Sequence, residues 1–276
     1  MAAPVKLAAF VTALLGVFGI AYLAGTQSAA LLAPVSSHTD AQAFGGLAST
    51  SDGYTLQLPG AAGEPGNDQF VELSITGPDG KPVPEYVETD GALLHVVAIR
   101  RDLIGYQHVY PEEGEGGSWW AALNLTSGPW RVIAEFQPAG LNRPVVLGAD
   151  LMISGNYRPQ PTPAPNDEAE VDGFTAILSQ PLTATVNSRP VIAVTRDGRP
   201  VTDLVQLHGS LGHGVIIRPG DLGYLHLHAE PVAENYHGPD IAFSGGVPQP
   251  GSYLLFVEFA RGEQSHTAEF TTAVAE

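Results

Sequence analysis

Three histidines in one short stretch have the spacing to hold a metal ion. In GHGVIIRPGDLGYLHLH, Pro219-Gly220 signals a tight turn with Pro at i+1 and Gly at i+2. A two-residue hairpin centred there pairs Arg218 with Asp221 and keeps the index sum of opposite residues at 439, so His213 faces His226. His228 lies two residues beyond His226, on the same face of the strand. Three imidazoles would then converge on a volume suited to one ion, bound through nitrogen at ~2.0–2.1 Å. His266, at the start of HTAEF, is a fourth candidate ligand. Met152 is the only methionine beyond the N-terminal region and the chain has no cysteine, so soft capture of Cu(I) is disfavoured and Cu(II) or Zn(II) is expected. Binding should weaken as pH falls through ~6.5, because each imidazole must be free of its proton to coordinate. His226, between His213 and His228, should carry most of the affinity. Asp221, Asp102, Asp150 and Glu269 are candidate supporting acceptors. The competing reading is that the histidines stack or hydrogen-bond within a polar patch.

The elements that position these residues occur twice. DGKPVPEYVETDGALLHVVAIR, Asp79 to Arg100, matches DGRPVTDLVQLHGSLGHGVIIR, Asp197 to Arg218, without a gap at an offset of 118 (197 − 79). GPWRVIAEF from Gly128 matches GSYLLFVEF from Gly251. In the first copy His95 and His108 repeat the cross-strand pair with an index sum of 203, but Tyr110 stands where the second copy has His228, and Leu147 where it has His266. A site is therefore expected in the second copy, with His95 contributing little. His38, His208 and His237 are isolated and carry no assigned role.

Each copy consists of short β-branched and aromatic runs between Gly, Pro and Asp turns. In the second copy these are FTAIL, VIAVT, HGVII, LGYLHLH, IAFS, SYLLFVEF and HTAEFTT. Seven such runs per hundred residues, with no helical period, predict an all-β fold of two tandem immunoglobulin-like antiparallel β-sandwich domains. Trp119, Trp120 and Trp130 read as core or rim aromatics.

Leu7 to Ala24 form an uncharged apolar run long enough to span a membrane as a helix. Lys6 precedes it and the next basic residue is Lys81, which places the remainder outside the cytoplasm. The alternative is a cleaved signal peptide ending near Ser28-Ala29-Ala30, but the run exceeds the ~7–15 residues of a signal core. The predicted organisation is a transmembrane anchor over 1–25, a flexible stalk over 26–52, a first sandwich over 53–157, a Pro-rich acidic linker over 158–172 and a second sandwich over 173–276.

Composition removes several functions. Twelve Lys and Arg against 29 Asp and Glu, a net charge of −17, argue against nucleic-acid binding. There is no G-x-S-x-G elbow, no H-E-x-x-H helix and no phosphate loop, so no enzyme activity is expected.

The segments GHGVIIRPGDLGYLHLH and LLHVVAIRRDLIGYQHVYP resemble the small exported β-domains of actinobacteria grouped as YtkA-like or heavy-metal-binding domain proteins. That group shows a His-containing strand, a turn and a terminal Tyr/Phe-x-His-x-His-Pro pattern, which places His213, His226 and His228 at its matching positions. Ala229 replaces the final proline, and Tyr110 replaces the last histidine in the first copy while Pro111 is present. The resemblance implies an exported metal-binding β-domain, and with the apolar run the expected protein is a membrane-anchored extracytoplasmic metal-binding one. The alternative is a non-catalytic cell-envelope interaction module with structural histidines and an unidentified envelope partner.

Overall fold

Turn residues cut the chain into strands that bury alternate side chains. The computed structural model describes residues 43–60, 62–185, 187–206 and 210–275. The expected anchor, most of the stalk, His38 and His208 lie outside the described residues. Among the described residues, no helix is long and apolar enough to cross a membrane.

The first copy comprises β1 (Thr50–Ser51), β2 (Tyr54–Gln57), β3 (Ala62–Gly63), β4 (Gly66–Thr76), β5 (Tyr86–Val87), β6 (Leu94–Arg100), β7 (Gln107–Val109), β8 (Glu112–Glu113), β9 (Ser118–Leu125), β10 (Gly128–Pro138) and β11 (Val145–Ile153). The second comprises β12 (Glu168–Val171), β13 (Phe174–Gln180), β14 (Val191–Arg196), β15 (Arg199–Pro200), β16 (Leu204–Val205), β17 (Gly212–Arg218), β18 (Gly223–Ala229), β19 (Asp240–Ser244), β20 (Gly251–Arg261) and β21 (Gln264–Val274). Sheets β1-β2-β4-β9-β8 and β3-β11-β10-β6-β7 form the first sandwich. In the second, the short β18–β19 pairing at His228 and Ala229 joins both layers into one continuous sheet. All pairings are antiparallel except β3 with β11. The all-β expectation and the duplication are thus both found in the structure.

Each sandwich has its own core, with Leu73, Leu123, Val132 and Phe136 in the first and Val194, Leu227, Leu255 and Phe270 in the second. The corner aromatics are equivalent. Trp130 donates Nε1–H to the Thr126 carbonyl, and Tyr253 donates its hydroxyl to that of Gln249, both at 2.8 Å. Trp119 and Trp130 are buried, while Trp120 is 39% exposed.

A third apolar cluster lies between the copies and includes Val97, Ile99 and Ile133 from the first and Val215, Ile217 and Phe256 from the second. This explains why β6 is buried at all seven positions. Even-numbered residues such as Val96 and Ala98 face the sandwich core, and His95, Val97 and Ile99 face the other copy. Tyr106 stacks on Phe256 with ring centroids 3.8 Å apart.

Two expected linkers are partly ordered. Within 158–172, residues Glu168–Val171 form β12 against β13, and Asn166 bonds the backbone of Thr271, because its side-chain amide can complete the strand edge there. Within 26–52, Phe44 to Ala48 form a strap that pairs with both copies. Gly45 exchanges two bonds with Tyr224, Gly46 N–H reaches Val146, and Gly148 N–H reaches Ala48. A Cβ on Gly45 would lie 2.6 Å from that of Val146, so the strap's approach requires glycine.

Candidate functional site

The hairpin turn is wider than its Pro-Gly pair suggests. Arg218 pairs with Gly223 rather than Asp221, leaving the four residues Pro219 to Leu222 in the loop and an index sum of 441. Asp221 is instead consumed in the loop, accepting from the Arg218 guanidinium and the Gly223 N–H. The first copy shifts equally, with Val97 opposite His108 and a sum of 205. Moving the sum by two preserves the face of every side chain. His213 and His226 therefore still meet, as diagonal neighbours, with Nδ1 of His213 and Nε2 of His226 2.9 Å apart. The same atoms of His95 and His108 lie 3.2 Å apart.

His228 continues the face but its side chain is 55% exposed, and its Nδ1 lies 3.3 Å from Asp90 of the first copy. His266 is not brought to the others. It pairs with Phe259, a core residue, whereas His213 pairs with Glu258, so His266 faces the opposite side of the sheet. There its Nδ1 contacts Asp172 at 2.8 Å and its ring packs on Phe174. His237 donates to the Leu204 carbonyl.

The two histidine pairs lie against each other at the junction of the copies. Ring centroids are 5.3 Å apart for His95 and His213, 5.1 Å for His108 and His213, and 5.7 Å for His95 and His226. His95 is thus central to the cluster. Two glutamates complete the arrangement. Glu135 lies across the ladder from His95, yet its carboxylate accepts from Nδ1 of His226 at 3.1 Å and from the Tyr224 hydroxyl. Glu258 lies across from His213, yet accepts from Nδ1 of His108 at 3.1 Å. Each copy's glutamate binds the other copy's histidine, which is the reciprocal pattern of an isologous dimer interface.

Electrostatics follow from this enclosure. Burial, reinforced by the neighbouring His226, His108 and His95, pushes the His213 pKa down to about 2. Burial also lowers that of His95, against the bond to the Thr89 carbonyl. For Glu135 burial alone would raise the pKa, but His226 and the Tyr224 hydroxyl outweigh it and bring it to about 2. Burial and the adjoining Glu135 hold the Tyr224 hydroxyl well above its ordinary value. The His228 contact holds Asp90 below the usual carboxylate range, and Asp90 in turn raises His228. Ligand atoms of His95, His108 and His213 lie within 4.8 Å of one another, as do those of Asp90, His226 and His228.

The expected supporting acceptors are elsewhere. Asp102 is held by the Arg100 guanidinium, Asp150 by Arg101, and Glu269 is raised by burial. Glu135, Glu258, Asp90 and Thr89 hold the histidines instead. The glutamates had a signal, since each stands at the same place in a matched strand, GPWRVIAEF and GSYLLFVEF, with apolar residues on both sides.

These features define a duplicated β-sandwich protein whose copies share one buried cluster of histidine and glutamate. The chain belongs to the family described as "Domain of unknown function (DUF8832)", matched over residues 49–148 and 169–276, one match for each copy. No curated protein is similar to the chain by sequence. Among solved structures, the Escherichia coli adhesin FdeC is 15% identical with a TM-score of 0.25, over 82% of this chain and 65% of that one. Yersinia pseudotuberculosis InvD is 13% identical with a TM-score of 0.27, over 82% of this chain and 59% of that one. Salmonella alpha-2-macroglobulin is 14% identical with a TM-score of 0.28, over 84% of this chain and 15% of that one. The chain spans less than two thirds of each, and superpositions this loose carry no functional inference.

Proposed function

We propose that the protein is a non-catalytic module of the cell envelope, held outside the cytoplasm by the apolar segment Leu7 to Ala24, in which two immunoglobulin-like copies act as one rigid body. The observation that carries this reading is the reciprocal clamp of Glu135 on His226 and Glu258 on His108. The groups with chemical potential are enclosed between the copies and bonded to one another, which suits a scaffold better than a reacting site. Fractionation with protease treatment of intact cells tests the placement. The chain should sediment with membranes and be cleaved from outside, whereas recovery of the intact chain in the cytosol refutes the reading.

A second reading, a divalent-metal module using Cu(II) or Zn(II) at the hairpin, is favoured by the approach of Asp90, His226 and His228. Its ligand set gains Asp90 and loses His266, which is held on the opposite face. Loss of bound metal in His228→Ala would support it, and unchanged binding would refute it.

A further inference from the structure

The protons on His95 and His108 are assigned by groups that only accept. Nε2 of His95 lies 2.8 Å from the Thr89 carbonyl oxygen, so its proton points there. Nδ1 of His108 lies 3.1 Å from Glu258 Oε2, and a carboxylate requires a donor. A neutral imidazole has one N–H. Nδ1 of His95 and Nε2 of His108 are then both bare, and these two atoms face each other at 3.2 Å. Two lone pairs cannot bond, so a positive species belongs between them, either an extra proton or a metal ion.

The equivalent pair in the second copy has a way out. Nδ1–H of His226 donates to Glu135, and Nδ1–H of His213 can donate to the bare Nε2 of His226 at 2.9 Å. With the proton of a neutral His213 on Nδ1, its other nitrogen carries the lone pair. The conflict is confined to the first copy, and the third donor comes from the second.

We propose that His95 Nδ1, His108 Nε2 and a ring nitrogen of His213 bind one divalent transition-metal ion that staples the two copies together. Two nitrogens on a tetrahedral ion at ~2.0–2.1 Å lie about 3.4 Å apart, close to the separation already present between His95 and His108. A metal-bound histidine ordinarily donates its other N–H to a carbonyl or carboxylate, and Thr89 and Glu258 supply one of each. The rings are secluded: His95 and His213 are 1% and 3% exposed, and the His108 side chain 3%. An all-imidazole set without thiolate suits Zn(II) or Cu(II). This site shares only His213 with the hairpin set, and it stands whether or not the envelope reading holds.

Zn(II) titration of the detergent-purified, chelator-stripped full chain tests the proposal, read by competition with a chromophoric chelator and by X-ray absorption of the loaded protein. One equivalent with at least three imidazoles in its shell is expected. His95→Gln should abolish stoichiometric uptake while the circular dichroism spectrum stays β-type. Glu258→Gln should weaken binding about 10–100-fold, and His228→Ala and His266→Ala should bind as the parent does. Absence of uptake at neutral pH overturns the proposal and assigns the gap to a proton. Uptake that survives in folded His95→Gln, or that disappears in His228→Ala, also overturns it. Should His95→Gln fail to fold, an absorption spectrum of the parent with fewer than three imidazoles is the refuting result.

Discussion

Replacing Glu135 by alanine should separate the two copies energetically. Glu135 is buried in the first copy, and its carboxylate receives the Tyr224 hydroxyl and the His226 Nδ1–H of the second. Truncation removes the acceptor of two buried hydrogen bonds, at about 1–3 kcal/mol each. Together these amount to about 2–6 kcal/mol. A domain of this size shifts its melting point by about 2–4 °C per kcal/mol, so a fall of about 4–24 °C is expected. The isosteric Glu135→Gln should cost less, since its amide oxygen still accepts from Tyr224. Exposed Glu263→Ala should change stability by no more than about 0.5 kcal/mol. Scanning calorimetry provides the assay, and the single transition of the parent should broaden or split in Glu135→Ala as the copies uncouple. A loss below about 1 kcal/mol with an unchanged single transition would show that the carboxylate does not hold the interface.

Acid should weaken the metal-free protein by a route that begins near neutrality. His213 and Glu135 have folded pKa values near 2 against 6.5 and 4.5 unfolded, so the unfolded chain binds protons that the folded chain refuses. Stability is full above 6.5, falls by about 2 kcal/mol between pH 6.5 and 5 through His213 alone, and falls more steeply below 4.5. His95, His108, His226 and Asp90 face that ring; urea melts with chelator present measure the slope, which should flatten in His213→Gln, and a parent-like slope in that variant counts against this origin. Gly148→Ala should destabilise by about 1–3 kcal/mol, because a Cβ there would meet the Gly46 carbonyl at 2.0 Å and displace the strap; a parent-like melting curve would refute it. A fragment spanning 169–276 exposes Val215, Ile217, Tyr224 and Phe256 and should form a homodimer through that face, which Phe256→Glu abolishes; a monomeric mass by light scattering would count against the face being self-complementary.

Local features of the sequence specified most of the strands. Six of the seven apolar runs read in the second copy fall wholly within strands, and LGYLHLH does so from Gly223 onward, because alternation and turn residues act over a few positions. The hairpin face was legible as well, although the loop length was not. Pro219-Gly220 suggests a two-residue turn, but Leu222 adopts a φ of 60° and extends the loop to four residues. Parity protected the site from that error. The stalk and linker misled because their Ala, Gly and Pro content describes weak local preference, whereas Gly45 and Asn166 are ordered by distant partners.

The reciprocal clamp could not be read from spacing, since Glu135 and His226 are 91 residues apart and Glu258 and His108 are 150 apart. A trace of it was nevertheless present in LLHVVAIR. A sandwich strand with one solvated face alternates, and an unbroken apolar run means that both faces are covered. The sandwich core covers one face, and the duplication supplies the simplest cover for the other, a second copy of the same surface. Once two equivalent faces meet about a two-fold axis, any residue pair that joins them occurs twice with roles exchanged. A glutamate opposite a buried histidine in each copy then satisfies the partner copy's histidine as readily as its own. In the first copy the Thr89 carbonyl also fixes the proton of His95. The shared interface explains why both copies carry histidine pairs although the hairpin motif is complete in only one.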